Sequence, residues 1–147
     1  MFISTKGRYA LRLMLDLAES GTQGTTVPLK KVAESQNISL KYLEQIIPVL
    51  SRAGFVKSVR GSQGGYKLTR EPSEYTVGMI LRLTEGTLAP VSCLEDKENQ
   101  CPRSSYCQTL FVWEKLYAAI NDTADSITLQ DIIDRTAGQS DGGDFCI

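Results

Sequence analysis

The chain contains no histidine among its 147 residues, which removes the commonest general acid–base catalyst and one of the commonest metal ligands. A hydrolase or transferase reading starts at a disadvantage, and enzymatic function is not expected. No run is long or apolar enough to span a bilayer, and the first residues carry no signal-peptide pattern. The expectation is a cytoplasmic protein without membrane attachment. Cysteine is absent from the first 92 residues and then clustered: Cys93, Cys101 and Cys107 fall within fifteen residues, and Cys146 sits next to the C-terminus. In a chain without an export signal, such clustering favours metal ligation or redox chemistry over a disulfide framework.

The formal charge of -1 conceals a strong asymmetry. Residues 1–70 hold eleven Lys/Arg against four Asp/Glu, a balance of +7, and residues 71–147 hold five against thirteen, a balance of −8. A basic half suggests contact with a polyanion.

Helical periodicity covers Thr5 to Ser20, where Tyr9, Ala10, Leu11, Leu13, Met14, Leu15, Leu17 and Ala18 occupy most of the circumference, so this helix is expected to be buried. Pro28 is suited to open a short helix through about Ser35, and Gln36-Asn37-Ile38 reads as a tight turn. Ser39 is a plausible N-cap for a helix from Leu40 to about Ala53, whose stripe is Leu40, Leu43, Ile47 and Leu50. Pro48 lies inside that helix and should kink it or end it early. After Gly54 the period shortens: residues 55–60 alternate like a strand, Gly61 to Gly65 form a turn, and Tyr66-Lys67-Leu68 return as a second strand. The fold class expected is mainly α with a small β-hairpin wing, a winged helix-turn-helix plus a long dimerisation helix.

Val77 to Thr84 reads as a further helix ended by Gly86, followed by a loop from Leu88 to Ser105. A long helix is expected from about Tyr106 to Ala124, with Tyr106, Leu110, Trp113, Tyr117, Ile120 and Ala124 at heptad spacings that suit a two-helix interface or the protein's own core. Thr128 and Asp131 resemble a capping box for a last helix. Four segments follow: residues 1–86 as a winged helix-turn-helix DNA-binding domain, 87–105 as a cysteine-rich sensory loop, 106–137 as dimerisation and terminal helices, and 138–147 as a flexible tail.

Recognition helices read bases with their first two turns. Ser39, Lys41, Tyr42, Glu44 and Gln45 stand at that end, and Glu44, a carboxylate facing a polyanion, makes sense there as a base reader or a salt-bridge partner. At the hairpin tip, Arg60 beside Gly61 suits insertion into a minor groove, with Lys57 and Lys67 flanking it against phosphates.

The stretches Ser4-Thr5-Lys6-Gly7-Arg8-Tyr9-Ala10, Ile38 to Gln45 and Val59 to Tyr66 resemble, in order, three signature stretches of the Rrf2 family of bacterial regulators. The resemblance runs from about Met1 to Asp134. It implies a homodimeric winged-helix regulator, repressor or activator, that binds a pseudo-palindromic double-stranded DNA operator. It implies DNA contacts from Ser39, Glu44, Gln45 and Arg60, with Glu44 discriminating between bases.

Members with three clustered cysteines hold a labile [2Fe-2S] or [4Fe-4S] iron–sulfur cluster in this location, so the resemblance implies Cys93, Cys101 and Cys107 as metal ligands. The gap between the first two is longer here. Leu110 stands where the iron–sulfur members have a histidine, and Arg8 stands where some relatives supply a carboxylate from the partner subunit. The fourth ligand is therefore open, with Cys146, an acidic loop residue or a thiol from a small molecule as candidates. Zinc and a thiol–disulfide switch are the alternatives.

The ending Phe145-Cys146-Ile147 resembles the tail of the family's repressor of cysteine metabolism and the C-terminal peptide of serine acetyltransferase. Both imply docking in the cleft of O-acetylserine thiol-lyase (cysteine synthase). A cluster-free repressor working through that partner is the alternative regulator. An iron–sulfur electron carrier would leave the basic half unexplained, and an adaptor with a degenerate winged helix would lack salt-dependent DNA binding.

Overall fold

A computed structural model describes residues 2–21 and 24–139. Helix α1 (Thr5–Ser20) begins where the Ser4 side chain accepts from the Gly7 amide at 3.1 Å, which supplies a partner for one of the orphan N–H groups of the first turn. Its Ala10, Leu13, Met14 and Leu17 recur every three or four residues and are almost wholly buried. Ser4 also ties α1 to a later helix, since its amide and hydroxyl both donate to Glu85 Oε1. Gly7 leaves room for that carboxylate: a Cβ there would collide with the same oxygen.

Helix α2 (Leu29–Gln36) is preceded by Pro28, which stands as its N-cap rather than its first residue. Asn37 makes the tight turn in the left-handed region (φ 52°, ψ 48°), which asparagine tolerates better than most residues. Helix α3 (Leu40–Arg52) is capped by Ser39, which accepts from the Tyr42 amide at 3.1 Å. Of the two effects expected of Pro48, a kink or an early end, the early end does not occur: the helix continues to Arg52, close to the expected bound at Ala53. Proline removes only the hydrogen bond to the Glu44 carbonyl, Glu44 is exposed to solvent, and burial of Ile46, Ile47 and Leu50 on the other side holds the helix together.

Strands β1 (Val56–Val59) and β2 (Gly65–Leu68) pair antiparallel, Val56 opposite Leu68 and Val59 opposite Gly65. Val27 adds a bridge to Tyr66, its N–H donating at 2.8 Å and its carbonyl accepting at 2.9 Å, so the hairpin is fastened to the segment before α2. Gly65 permits this, because a Cβ would fall 2.5 Å from the Val27 carbonyl. At the hairpin base, fully buried Tyr75 donates its hydroxyl to the Phe55 carbonyl (2.8 Å) and accepts from the amides of Thr69 and Arg70 (both 3.1 Å).

Helix α4 (Val77–Glu85) is capped by Thr76 and ended by Gly86 at φ 82°. Helix α5 (Leu110–Ser126) starts four residues later than the heptad spacing suggested. Tyr106 is 64% exposed, with the Arg103 guanidinium 5.6 Å from its ring centroid, and belongs to the cysteine loop rather than to the helix. Within α5, Ala124 is buried, Leu110, Trp113, Tyr117 and Ile120 are half-buried in the single chain, and Phe111 and Leu116 are exposed.

Helix α6 (Leu129–Gln139) opens with the expected capping box: the Thr128 amide donates to Asp131 Oδ2 (2.9 Å), and the Asp131 amide to Thr128 Oγ1 (3.0 Å). It extends through Gly138 and Gln139, into the expected tail. Leu129 is fully buried and returns to the core made by α1, α3, α4 and the hairpin. Among the described residues no helix is long and apolar enough to cross a membrane.

Candidate nucleic-acid interface and cysteine loop

The inward face of α3 carries Leu43, Ile46, Ile47 and Leu50, all buried, so the helix has one orientation available. Its N-terminal turns then present Ser39, Lys41, Glu44 and Gln45 to solvent together. Tyr42 departs from this group. It is half-buried, and its ring meets that of Tyr9 edge to face at 5.2 Å. Arg60 and Gly61 are exposed at the hairpin tip, Gly61 with φ 117°, a value that suits glycine alone. The tip is braced by the Gly64 amide on the Gly61 carbonyl (3.0 Å) and by Thr26 Oγ1 donating to the Gln63 carbonyl (2.6 Å). Lys57 is exposed and Lys67 half-buried on the strands behind.

The three loop cysteines are free and half-buried. Cys93 lies in a one-turn 3₁₀ helix (Ser92–Leu94), the Cys101 amide donates to Asn99 Oδ1 (2.9 Å), and Cys107 stands just before α5. The Cys107 thiol is held below its ordinary pKa, first by the Thr109 hydroxyl at 3.5 Å, with help from backbone amides and the Arg103 charge. The donor type suits an iron–sulfur cluster, but the placement does not: among the described residues no three Cys, Asp or Glu gather at metal-binding distance. Arg8 is exposed, with one nitrogen on Thr5 Oγ1 (3.1 Å). The tail residues Phe145, Cys146 and Ile147 lie outside the described residues.

Two features of the site escaped the sequence reading. One is a hydrogen-bonded group around Asp16, whose signal was a lone carboxylate in the apolar run Leu13-Met14-Leu15-Asp16-Leu17. The other joins α5 to α4. Arg82 donates to both carboxylate oxygens of Asp125 (2.7 and 2.9 Å) and to Asn121 Oδ1 (2.8 Å). This raises the pKa of Arg82 and lowers that of Asp125.

A capped helix after a tight turn, followed by a glycine-tipped hairpin, defines a winged helix-turn-helix transcription regulator. The Rrf2 family model, described as iron-dependent transcriptional regulator, matches residues 3–135, and the chain belongs to this family. The transcriptional regulator CymR of Bacillus subtilis is 42% identical over 147 residues, all of both chains. IscR of Aliivibrio salmonicida is 39% identical over 133 residues, 90% of this chain and 77% of its own. Among solved structures, CymR, the global cysteine regulator of B. subtilis, aligns with TM-score 0.73 at 41% identity, over 90% of this chain and 95% of that one. T. potens IscR aligns with TM-score 0.72 at 40% identity, over 99% and 94%. These relatives are regulators, not enzymes.

Proposed function

We propose that the protein is a homodimeric, sequence-specific DNA-binding regulator in which residues 1–86 bind the operator, with α3 entering the major groove and the hairpin tip meeting the minor groove. The observation that carries this reading is the exposed polar face of Ser39, Lys41, Glu44 and Gln45 on a helix whose other face is fixed in the core. Four polar side chains on the first turns of a capped helix match what base-edge readout requires, and Arg60 at a glycine tip matches what a minor groove accepts. Phe111 and Leu116, left exposed on α5, suit the pairing of two copies. Selection of duplexes from a randomised library, followed by titration at several salt concentrations, tests the reading. A selected pseudo-palindrome bound with steep salt dependence supports it; binding that neither prefers a sequence nor responds to salt sinks it.

The signal reaches the protein through the loop at residues 87–105 and its flank up to Cys107. The lowered pKa of Cys107 raises its share of thiolate, the form that serves both as nucleophile and as metal ligand. A cluster on Cys93, Cys101 and Cys107 would require the loop to close around it, and this placement favours thiol chemistry at the loop. Iron and sulfide analysis with an absorption spectrum of protein purified without oxygen separates the cases. Matched iron and sulfide in a brown protein overturn the thiol reading, and a colourless protein that reconstitution does not change supports it. The full-length match to CymR favours a second reading, in which Phe145, Cys146 and Ile147 dock in cysteine synthase and report cysteine supply. A pull-down with the full chain and with one lacking those three residues tests it.

A further inference from the structure

Asp16 is a carboxylate only 5% exposed, and nothing in the proposed DNA contact uses it. It accepts from Ser20 Oγ (3.0 Å) one turn along α1, from Ser35 Oγ near the end of α2, and from Gln36 Nε2 (3.0 Å). Among the described residues no ion pair reaches it, so this buried carboxyl group depends on three neutral hydrogen-bond donors, an arrangement that becomes costly when any one of them is removed. Gln36 is held from the other side as well. Its Oε1 accepts from Arg12 Nε (3.1 Å), and its backbone carbonyl accepts from Arg12 Nη2. Gln36 is the last residue of α2, directly before the left-handed Asn37 that turns the chain towards α3. The guanidinium of Arg12 lies 5.4 Å from the ring centroid of Tyr9, and that ring meets Tyr42, in the first turn of α3, edge to face. One continuous set of contacts therefore runs from the buried carboxylate through the turn to the helix that carries Glu44 and Gln45.

We infer that Asp16, Gln36 and Arg12 form a positioning clamp that sets the angle of α3 on α1, and with it the sequence discrimination of the protein. The inference rests on the DNA-binding reading above. It assigns no contact with DNA to these three residues. A misplaced recognition helix keeps its phosphate contacts, which tolerate small shifts, and loses base contacts, which do not.

The test uses the full chain, a duplex selected by the wild-type protein and a scrambled duplex of the same length. Gln36→Met keeps the size of the side chain and removes its hydrogen bonds. Arg12→Met acts at an exposed position, so it opens no cavity in the core. Each is expected to lower preference for the selected duplex about tenfold, in the range of a lost base contact, with affinity for the scrambled duplex and the salt slope unchanged. The exchanged pair Asp16→Asn with Gln36→Glu reverses donor and acceptor: the amide introduced on α1 would donate to a carboxylate at the end of α2 that Arg12 still grips. It should restore most of the preference.

Unchanged preference in both single variants overturns the clamp. So does an equal loss on both duplexes with a salt slope lower by about 1, which would make Arg12 a phosphate contact instead. A wild-type protein that selects no duplex removes the DNA-binding reading itself, an outcome visible before any variant is made.

Discussion

Gly78 lies in the first turn of α4 beneath the Arg82–Asp125 pair, and a methyl group there would collide with Asp125 Oδ1 and sit 2.8 Å from Arg82 Nη1. Gly78→Ala therefore does two opposing things. Alanine in place of glycine favours the helix by up to about 1 kcal/mol. The methyl also pushes the ion pair apart, and that pair, with side chains 35% and 48% exposed, is worth about 1 kcal/mol or less after solvent screening. The net change in the wild-type protein should be close to zero. In an Asp125→Ala background the obstructing carboxylate is gone and the end of Arg82 is free to move. The same substitution should then stabilise by about 1 kcal/mol, roughly 2–4 °C in Tm for a chain of this size.

Urea unfolding of the four proteins completes the cycle, and the expected coupling is about 1 kcal/mol. Because the Arg82 hydrogen bond depresses the Asp125 pKa, the pair contributes fully above the ordinary carboxylate range and is lost as pH falls through the depressed value. The coupling should shrink in acid and in high salt. Additive effects at neutral pH and low salt, within about 0.5 kcal/mol, would refute the account of how α5 is held.

Three further outcomes are expected. Tyr75→Phe strips a buried hydroxyl from the Phe55 carbonyl and two amides and should cost about 2 kcal/mol in urea unfolding, since buried polar groups lose their partner; a loss indistinguishable from zero would mean water replaces the hydroxyl. Glu44→Ala should relax base preference in duplex selection while the salt slope stays, and an intact preference would show that Glu44 reads no base. With Cys93, Cys101 and Cys146 changed to serine, alkylation of Cys107 by iodoacetamide should reach half its maximal rate below the ordinary thiol range, and Thr109→Val should move that midpoint up. A midpoint unmoved by Thr109→Val would remove the hydroxyl as its cause.

The parts of the fold that were legible in the sequence are those decided within a few residues. Ser39 as the cap of α3, the Thr128–Asp131 box and Gly86 as the end of α4 each depend on a donor or a dihedral angle close by, and all three stand where the sequence put them. The exposure of Glu44 and Gln45 followed from the spacing of their apolar neighbours. What the sequence hid depends on partners far along the chain. Asp16 and Gln36 are twenty positions apart, Arg82 and Asp125 forty-three, and no periodicity announces such a pairing. Tyr106 misled for a related reason: its spacing to Leu110 and Trp113 is helical, but Arg103 and the turns around Pro102 hold it in the loop.

The attachment of α5 sets how a change in the cysteine loop would reach the proposed DNA-binding face. Near its C-terminal end, α5 is tied to α4 by Arg82, and just beyond it the Val77 amide donates to the Ile127 carbonyl (2.8 Å) and the Leu129 amide to the Tyr75 carbonyl (3.0 Å). The other end leads directly into Cys107. A helix of 17 residues is roughly 25 Å long, so a tilt of about 5° at the Arg82–Asp125 attachment moves its far end by about 2 Å. Two copies joined through that helix would convert the displacement into a change in the spacing of their recognition helices, to which a dimer on a fixed pair of half-sites is sensitive. The linkage must run both ways. If ionisation of Cys107 alters operator affinity tenfold, operator binding must shift the Cys107 midpoint by about 1 pH unit, the same free energy read from the other end. An alkylation profile that is identical with and without bound operator would therefore exclude Cys107 ionisation as the signal, whatever else the loop binds.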